Sequence, residues 1–129
     1  MVILGILRIV EELRLRRPEA KIVINGLLPR TYDESGFLMQ SKGRFPVLWP
    51  QIKTVNAELK RYTAKRDMVE YFETQAFFKN HTASEEELQI DEATMNEDKL
   101  HPSAEGYRRW GADVVAALDS LIQSAPDTD

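Results

Sequence analysis

A carboxylate and an imidazole stand three residues apart near the end of the chain, at Asp98 and His101. Histidine is the side chain most often used as a general base near neutral pH, provided that one ring nitrogen faces the reacting group. A carboxylate that accepts the proton of the other nitrogen fixes the tautomer, as in a Ser-His-Asp triad. Pro102 stiffens the chain directly after the imidazole. The spacing therefore predicts a base with its orienting acid; a pair that only satisfies its own loop is the alternative.

The remaining residue types narrow the possible chemistry. The chain has one other histidine, His81, which lies in a polar stretch and is predicted to be a solvent-exposed side chain. Cysteine is absent, which excludes disulfides, thiolate metal sites and a cysteine nucleophile. Two distant histidines and scattered carboxylates do not have metal-ligand spacing, so we expect no metal. No glycine-rich phosphate loop is present, so we expect no nucleotide cofactor.

Length and composition set the outer bounds. The 129 residues predict a single domain over 1–124, followed by a disordered tail at 125–129. Seventeen Lys and Arg against 21 Asp and Glu give a net charge of −4, which argues against nucleic acid as a partner. No apolar run reaches the roughly 18 residues of a membrane span. No charged segment precedes the apolar start as in a secretory signal, so the default location is the cytoplasm, and it is undetermined if a targeting segment lies upstream.

Apolar periodicity alternates between helical and extended segments along the chain. Helical spacing covers residues 3–17, which end before Pro18, and a second helix opens at Pro50 and runs to 63. A β-branched apolar run at 21–28 predicts a first strand, and residues 67–72 are predicted to form a second. The order is that of a doubly wound α/β sheet. Because two strands alone are marginal, we expect the sheet to be incomplete in this chain.

Capping residues mark two further helices. Ser84 and Glu87 fit a capping box on a short helix within an acidic stretch. Ser103 is a favourable N-cap for a final helix that directly follows the Asp98–His101 pair. One apolar stripe of this helix consists of Tyr107, Trp110, Val114, Leu118, Leu121 and Ile122. The sequence therefore predicts that the pair lies at the amino end of an amphipathic helix.

Residues 98–107, Asp-Lys-Leu-His-Pro-Ser-Ala-Glu-Gly-Tyr, resemble the last conserved block of the SGNH hydrolases, also called GDSL esterases or lipases. Three other stretches resemble that family in the same order. Residues 5–22 are similar to its helix-then-strand segment, and residues 55–59 to the helix that follows. Residues 26–30, Gly-Leu-Leu-Pro-Arg, resemble the strand end of its platelet-activating-factor-acetylhydrolase-like members.

The resemblance implies an α/β/α three-layer parallel sheet of the flavodoxin-like SGNH type, present only as its carboxy-terminal part. It also implies that His101 and Asp98 are the catalytic base and its orienting acid, and that the substrate is a small-molecule acyl ester. The family's Gly-Asp-Ser nucleophile block, its oxyanion-hole glycine and its Gly-x-Asn-Asp block are absent from these 129 residues, and we expect them upstream of Met1.

Three functional hypotheses follow. The first is the carboxy-terminal portion of a serine esterase, inactive alone because removing a triad serine costs about 10⁶ in kcat. The second is a non-catalytic SGNH-derived module that binds an ester-like or glycan ligand. The third is an interaction protein that self-associates through an exposed sheet edge. The sequence does not decide between a truncated gene product, a pseudoenzyme and a genuine short protein.

Overall fold

Two parallel strands form the only sheet in residues 2–123, the part of the chain that this computed structural model describes. Strand β1 covers Ile22–Asn25 and strand β2 covers Val69–Phe72, with Ile22 opposite Val69 and Asn25 opposite Phe72. The helices are α1 (Val2–Arg16), α2 (Trp49–Ala64) and α3 (Ala104–Gln123), with a short 3-10 helix at Glu85–Glu87. The predicted order of helices and strands is confirmed.

The described residues fall into two compact units. The first contains residues 2–28 and 49–73 and therefore both strands, α1 and α2. Helix α2 packs on β2 and on α1 around a buried apolar cluster. The cluster consists of Val10, Ile24, Leu59, Tyr62 and Val69. Alternate residues of β1 face this cluster, so Ile24 is buried and Asn25 is exposed.

A buried amide ties together the carboxyl ends of the two strands in the first unit. The Asn56 side chain on α2 accepts a hydrogen bond from the Leu27 amide at 2.8 Å and donates to the Leu27 carbonyl at 3.0 Å. Its Nδ2 also donates to Glu73, directly after β2, at 3.0 Å. Asn56 is 5% exposed. These three bonds fix where the chain leaves each strand.

The second unit contains residues 29–48 and 74–123 and is built largely from loops around α3. Isolated bridges between Phe37 and Gln89 and between Phe78 and Ile90 connect its loop segments. Its largest fully buried side chains are Phe77, Leu38, Ile90, Thr31 and Thr94. Leu38, whose loop position gave no assignment from sequence, is therefore a core residue of this unit.

The observed elements make a partial α/β fold, and the three-layer arrangement remains a prediction. The prediction of a capping box at Ser84 is wrong, because the Ser84 side chain makes no capping hydrogen bond. The Glu87 amide donates instead to the Ser84 carbonyl at 2.9 Å. In the stripe of α3, Tyr107 and Leu118 are exposed, and Trp110 and Val114 are half-buried. The Leu121 and Ile122 side chains, and the predicted tail at 125–129, lie outside the described residues.

Within residues 2–123, no helix combines the length and the apolar character that crossing a bilayer demands.

Candidate active site

The Asp98 carboxylate organises a tight loop in front of α3. Its Oδ1 accepts hydrogen bonds from the backbone amides of Leu100 at 2.9 Å and His101 at 3.0 Å. Lys99, between Asp98 and Leu100, adopts a left-handed conformation with φ of 52°. This conformation is uncommon for a side chain other than glycine, and here it accompanies the return of the chain over the carboxylate.

The same carboxylate holds the imidazole. Asp98 Oδ2 lies 2.6 Å from His101 Nδ1. The hydrogen bond from the His101 ring, and then the bonds from the His101 and Leu100 amides, keep the pKa of Asp98 well below its usual range. An ionised carboxylate only accepts hydrogen bonds, so Nδ1 must carry the proton. In the neutral ring, Nε2 is then the lone-pair nitrogen, and it makes no hydrogen bond within residues 2–123.

Both side chains face solvent. The exposed fraction is 66% for the His101 side chain and 47% for that of Asp98. Water screens an ion pair at such exposure, so the contact adds little to the stability of the fold. The contact instead determines the geometry of the pair, because it fixes the proton on Nδ1 and leaves Nε2 without a partner in the loop. The His101 ring is therefore accessible to solvent while it remains bonded to Asp98.

Backbone bonds hold this loop to the start of α3. The Asn96 amide donates to the His101 carbonyl at 2.9 Å, and the Ser103 amide donates to the Thr94 carbonyl at 2.9 Å. Pro102, which is buried, pairs with Met95 in an isolated antiparallel bridge. The imidazole therefore extends from a segment that is fixed on both sides of its Cα.

The N-cap prediction for α3 is confirmed. The Ser103 hydroxyl accepts a hydrogen bond from the Gly106 amide at 3.1 Å and donates to the Ala93 carbonyl at 2.6 Å. Two arginines one turn further along hold Glu105, which lowers the pKa of that carboxyl to about 2. The first turn of the helix is thus tied to the loop before it.

Gly106 has a structural role that was not predicted from the sequence. A Cβ atom at this position would overlap the carbonyl oxygen of Thr94 and lie 3.0 Å from the Phe77 ring. Thr94 is fully buried, so the helix start and the loop touch backbone to backbone. A glycine inside a helix, three residues after its N-cap, was the available signal.

The serines of the described chain have local partners or open surroundings. The Ser41 hydroxyl donates to the Phe45 carbonyl, and the Ser103 hydroxyl is used in the cap. None was predicted to be a nucleophile, and Ser124 lies outside the described residues. His81 is exposed, as predicted. Residues 2–123 bring together no three His, Asp or Glu side chains that could hold a metal ion.

Comparison by sequence finds no matching protein family and no matching curated protein. Comparison of structures finds a similar fold in a protein described as "a putative platelet activating factor from Streptococcus pneumonia". The TM-score is 0.67 at 16% sequence identity, over 90% of this chain and 50% of that one. The chain thus spans about half the length of that solved structure, and the two share a fold.

Proposed function

We propose that this chain supplies the general base and its orienting acid to a serine ester hydrolase of the SGNH type. The observation that carries the proposal is the 2.6 Å contact between Asp98 Oδ2 and His101 Nδ1, at the amino end of α3. The resemblance of residues 98–107 to the family's last block supports it, and so does the fold shared with a protein described as a platelet activating factor.

The chemistry follows from the proton positions. In the complete site, a serine hydroxyl attacks the acyl carbonyl while His101 Nε2 takes its proton. The same nitrogen then protonates the departing alkoxide, and water repeats the cycle to release the acid. Asp98 keeps the proton on Nδ1 throughout and stabilises the imidazolium that forms. The resemblance to acetylhydrolase-like members favours a short acyl group.

The 129-residue chain alone should not turn over esters. It contains no Gly-Asp-Ser sequence, and loss of a triad serine costs about 10⁶ in kcat. Missing oxyanion donors cost on the order of 10²–10³ where the rest of a site is present. Solvent around His101 also keeps the pair in a high dielectric, where electrostatic stabilisation of a transition state is weak.

The test uses two proteins and one substrate. The 129-residue chain should hydrolyse p-nitrophenyl acetate no faster than its His101→Ala variant. A longer product that includes an in-frame Gly-Asp-Ser block encoded upstream should be active. In that longer product, His101→Ala should lower kcat about 10⁶-fold, and Asp98→Asn should lower it about 10⁴-fold. A longer product that is inactive, or whose activity survives His101→Ala, contradicts the proposal.

A non-catalytic interaction module is the second candidate, and apolar exposure on α1 favours it. Five side chains of this helix are 45–78% exposed: Val2, Leu4, Ile9, Leu13 and Leu15. Among residues 2–123, each strand of the two-stranded sheet also has an edge without a neighbouring strand. If self-association is the function, light scattering should show a dimer or larger species, and Ile9→Lys should dissociate it while Arg8→Lys leaves it intact.

A further inference from the structure

A single arginine of the second unit is held against an aromatic pair. The Arg30 guanidinium carbon lies 4.8 Å from the centroid of the Tyr32 ring. The Tyr32 ring stacks in turn on Phe45, with centroids 4.5 Å apart and ring planes 19° from parallel. Arg30 and Tyr32 are half-buried, and Phe45 is exposed. The cation therefore lies over a ring that also stacks on a second aromatic ring.

Hydrogen bonds of a buried side chain hold the loop that carries Arg30 and Tyr32. Thr31, between Arg30 and Tyr32, is 2% exposed, and its hydroxyl oxygen lies 2.8 Å from the Phe37 carbonyl, to which it donates. The same oxygen accepts a bond from the Asp33 amide at 3.0 Å. These contacts fix the backbone on both sides of position 31. The backbone that carries the guanidinium and the ring is therefore held in place.

One nitrogen of the Arg30 side chain is buried without a hydrogen-bond partner. Its Nε is shut off from solvent and has no hydrogen-bond partner, and Nε alone of its three nitrogens is in that state. No carboxylate within residues 2–123 forms an ion pair with Arg30. Six other arginines do have such a carboxylate: Arg14, Arg16, Arg61, Arg66, Arg108 and Arg109.

A half-buried guanidinium loses part of its hydration, and because Nε is shut off from solvent, Nη1 and Nη2 are the donors that a ligand can reach. The second unit holds this charge in place and supplies no counter-charge from its described residues. A guanidinium whose outer nitrogens remain open presents two parallel donors, the geometry that a carboxylate or a phosphate accepts in bidentate fashion.

We propose that Arg30, on the Tyr32–Phe45 stack, is the anchor of an anion site that takes a carboxylate or phosphate group end-on through Nη1 and Nη2. The site is independent of ester hydrolysis by His101. Because the side chain is already positioned, binding requires little further loss of rotamer freedom, and the neighbouring ring excludes water from one face of the ion pair.

The test is a titration followed by NMR, with inorganic phosphate in one series and acetate in the other. Sodium chloride holds the ionic strength constant. The Arg30 Nε–H cross-peak, assigned with Arg30→Gln, should shift and saturate with a Kd on the order of 1 mM. Backbone amides at 30–32 should follow the same curve. Saturation by phosphate alone would make it a phosphate site, whereas saturation by both would extend it to carboxylates.

Matched variants separate this site from general attraction of anions. Arg30→Lys should weaken binding at least fivefold, because an ammonium lacks the two parallel donors. Tyr32→Phe should preserve affinity and Tyr32→Ala should lower it at least threefold, with circular dichroism reporting the fold of each. Arg44→Gln removes an exposed cation of the same loop and should change nothing. A linear, unsaturated shift, or equal losses in Arg30→Gln and Arg44→Gln, would overturn the proposal.

Discussion

Gly106 lies against the carbonyl group of Thr94 so closely that a Cβ atom at 106 would overlap the oxygen and lie 2.9 Å from the carbon. The obstacle is buried backbone and cannot rotate away as a side chain can. We expect Gly106→Ala to destabilise the fold by about 1–3 kcal/mol in urea unfolding.

Gly111 supplies the control on the same helix, because nothing lies within 4 Å of a Cβ atom there. Gly111→Ala should stabilise by about 0.5–1 kcal/mol, since alanine is the better helix former. Equal effects of the two substitutions would show that helix propensity, and not the contact with Thr94, determines the result.

Asn56 should be among the most sensitive polar positions of the first unit. Asn56→Ala leaves the Leu27 amide and carbonyl without their side-chain partner, at an expected cost of about 2 kcal/mol. Asn56→Asp keeps an acceptor for the amide but places negative charge against the Leu27 carbonyl and Glu73. It should therefore be at least as destabilising at pH 7. Asn80→Ala, at an exposed position, should stay within about 0.5 kcal/mol.

The tautomer of His101 can be measured directly. With the ring neutral, ¹⁵N shifts should show Nδ1 protonated and Nε2 unprotonated, because the Asp98 carboxylate accepts from Nδ1. Asp98→Ala should move the ring toward the mixture shown by His81, an exposed histidine in the same spectrum. Identical tautomer ratios for His101 and His81 in the unsubstituted chain would remove the basis for an oriented base.

Acid should weaken the anchoring of the first turn of α3. Ion pairs with Arg108 and Arg109 lower the pKa of Glu105 to about 2, from an ordinary value of 4.5. The folded chain thus binds this proton more weakly than the unfolded chain. The resulting stabilisation is complete above about pH 4.5 and is lost as the pH falls toward 2. In Glu105→Gln, the melting temperature should depend less on pH between 4.5 and 2 than in the unsubstituted chain. An equal decline in both proteins would contradict the role of Glu105.

The sequence predicted the local features of this fold well. Apolar period, Pro18, Pro50, the β-branched run at 21–28 and the apolar residues at 68–72 located α1, β1, α2 and β2 to within a few residues, because each signal is confined to one element. The Asp98–His101 contact was predictable for the same reason, since a three-residue spacing limits how far apart the two side chains can lie.

Features that depend on partners distant in sequence were not predictable. Leu38 is fully buried although its segment has no period, and Thr94 is buried by a helix that starts ten residues later. The apolar stripe of α3 suggested a covered helix, yet Tyr107 is 56% exposed. A periodic stripe specifies which face of a helix is apolar, and only the tertiary structure specifies what covers it.

Within the described residues, the hydrogen bonds that orient the imidazole join residues 94–103, and the Ser103 cap adds bonds to Ala93 and Gly106. Residues 93–106 therefore contain both the Asp98–His101 pair and the bonds that orient it, and Asp91 adds a further bond to Thr94. We expect the Asp98–His101 contact to survive transfer of residues 91–106 ahead of a helix in another scaffold, provided that the helix keeps a glycine at its third position, where the Thr94 carbonyl lies against it.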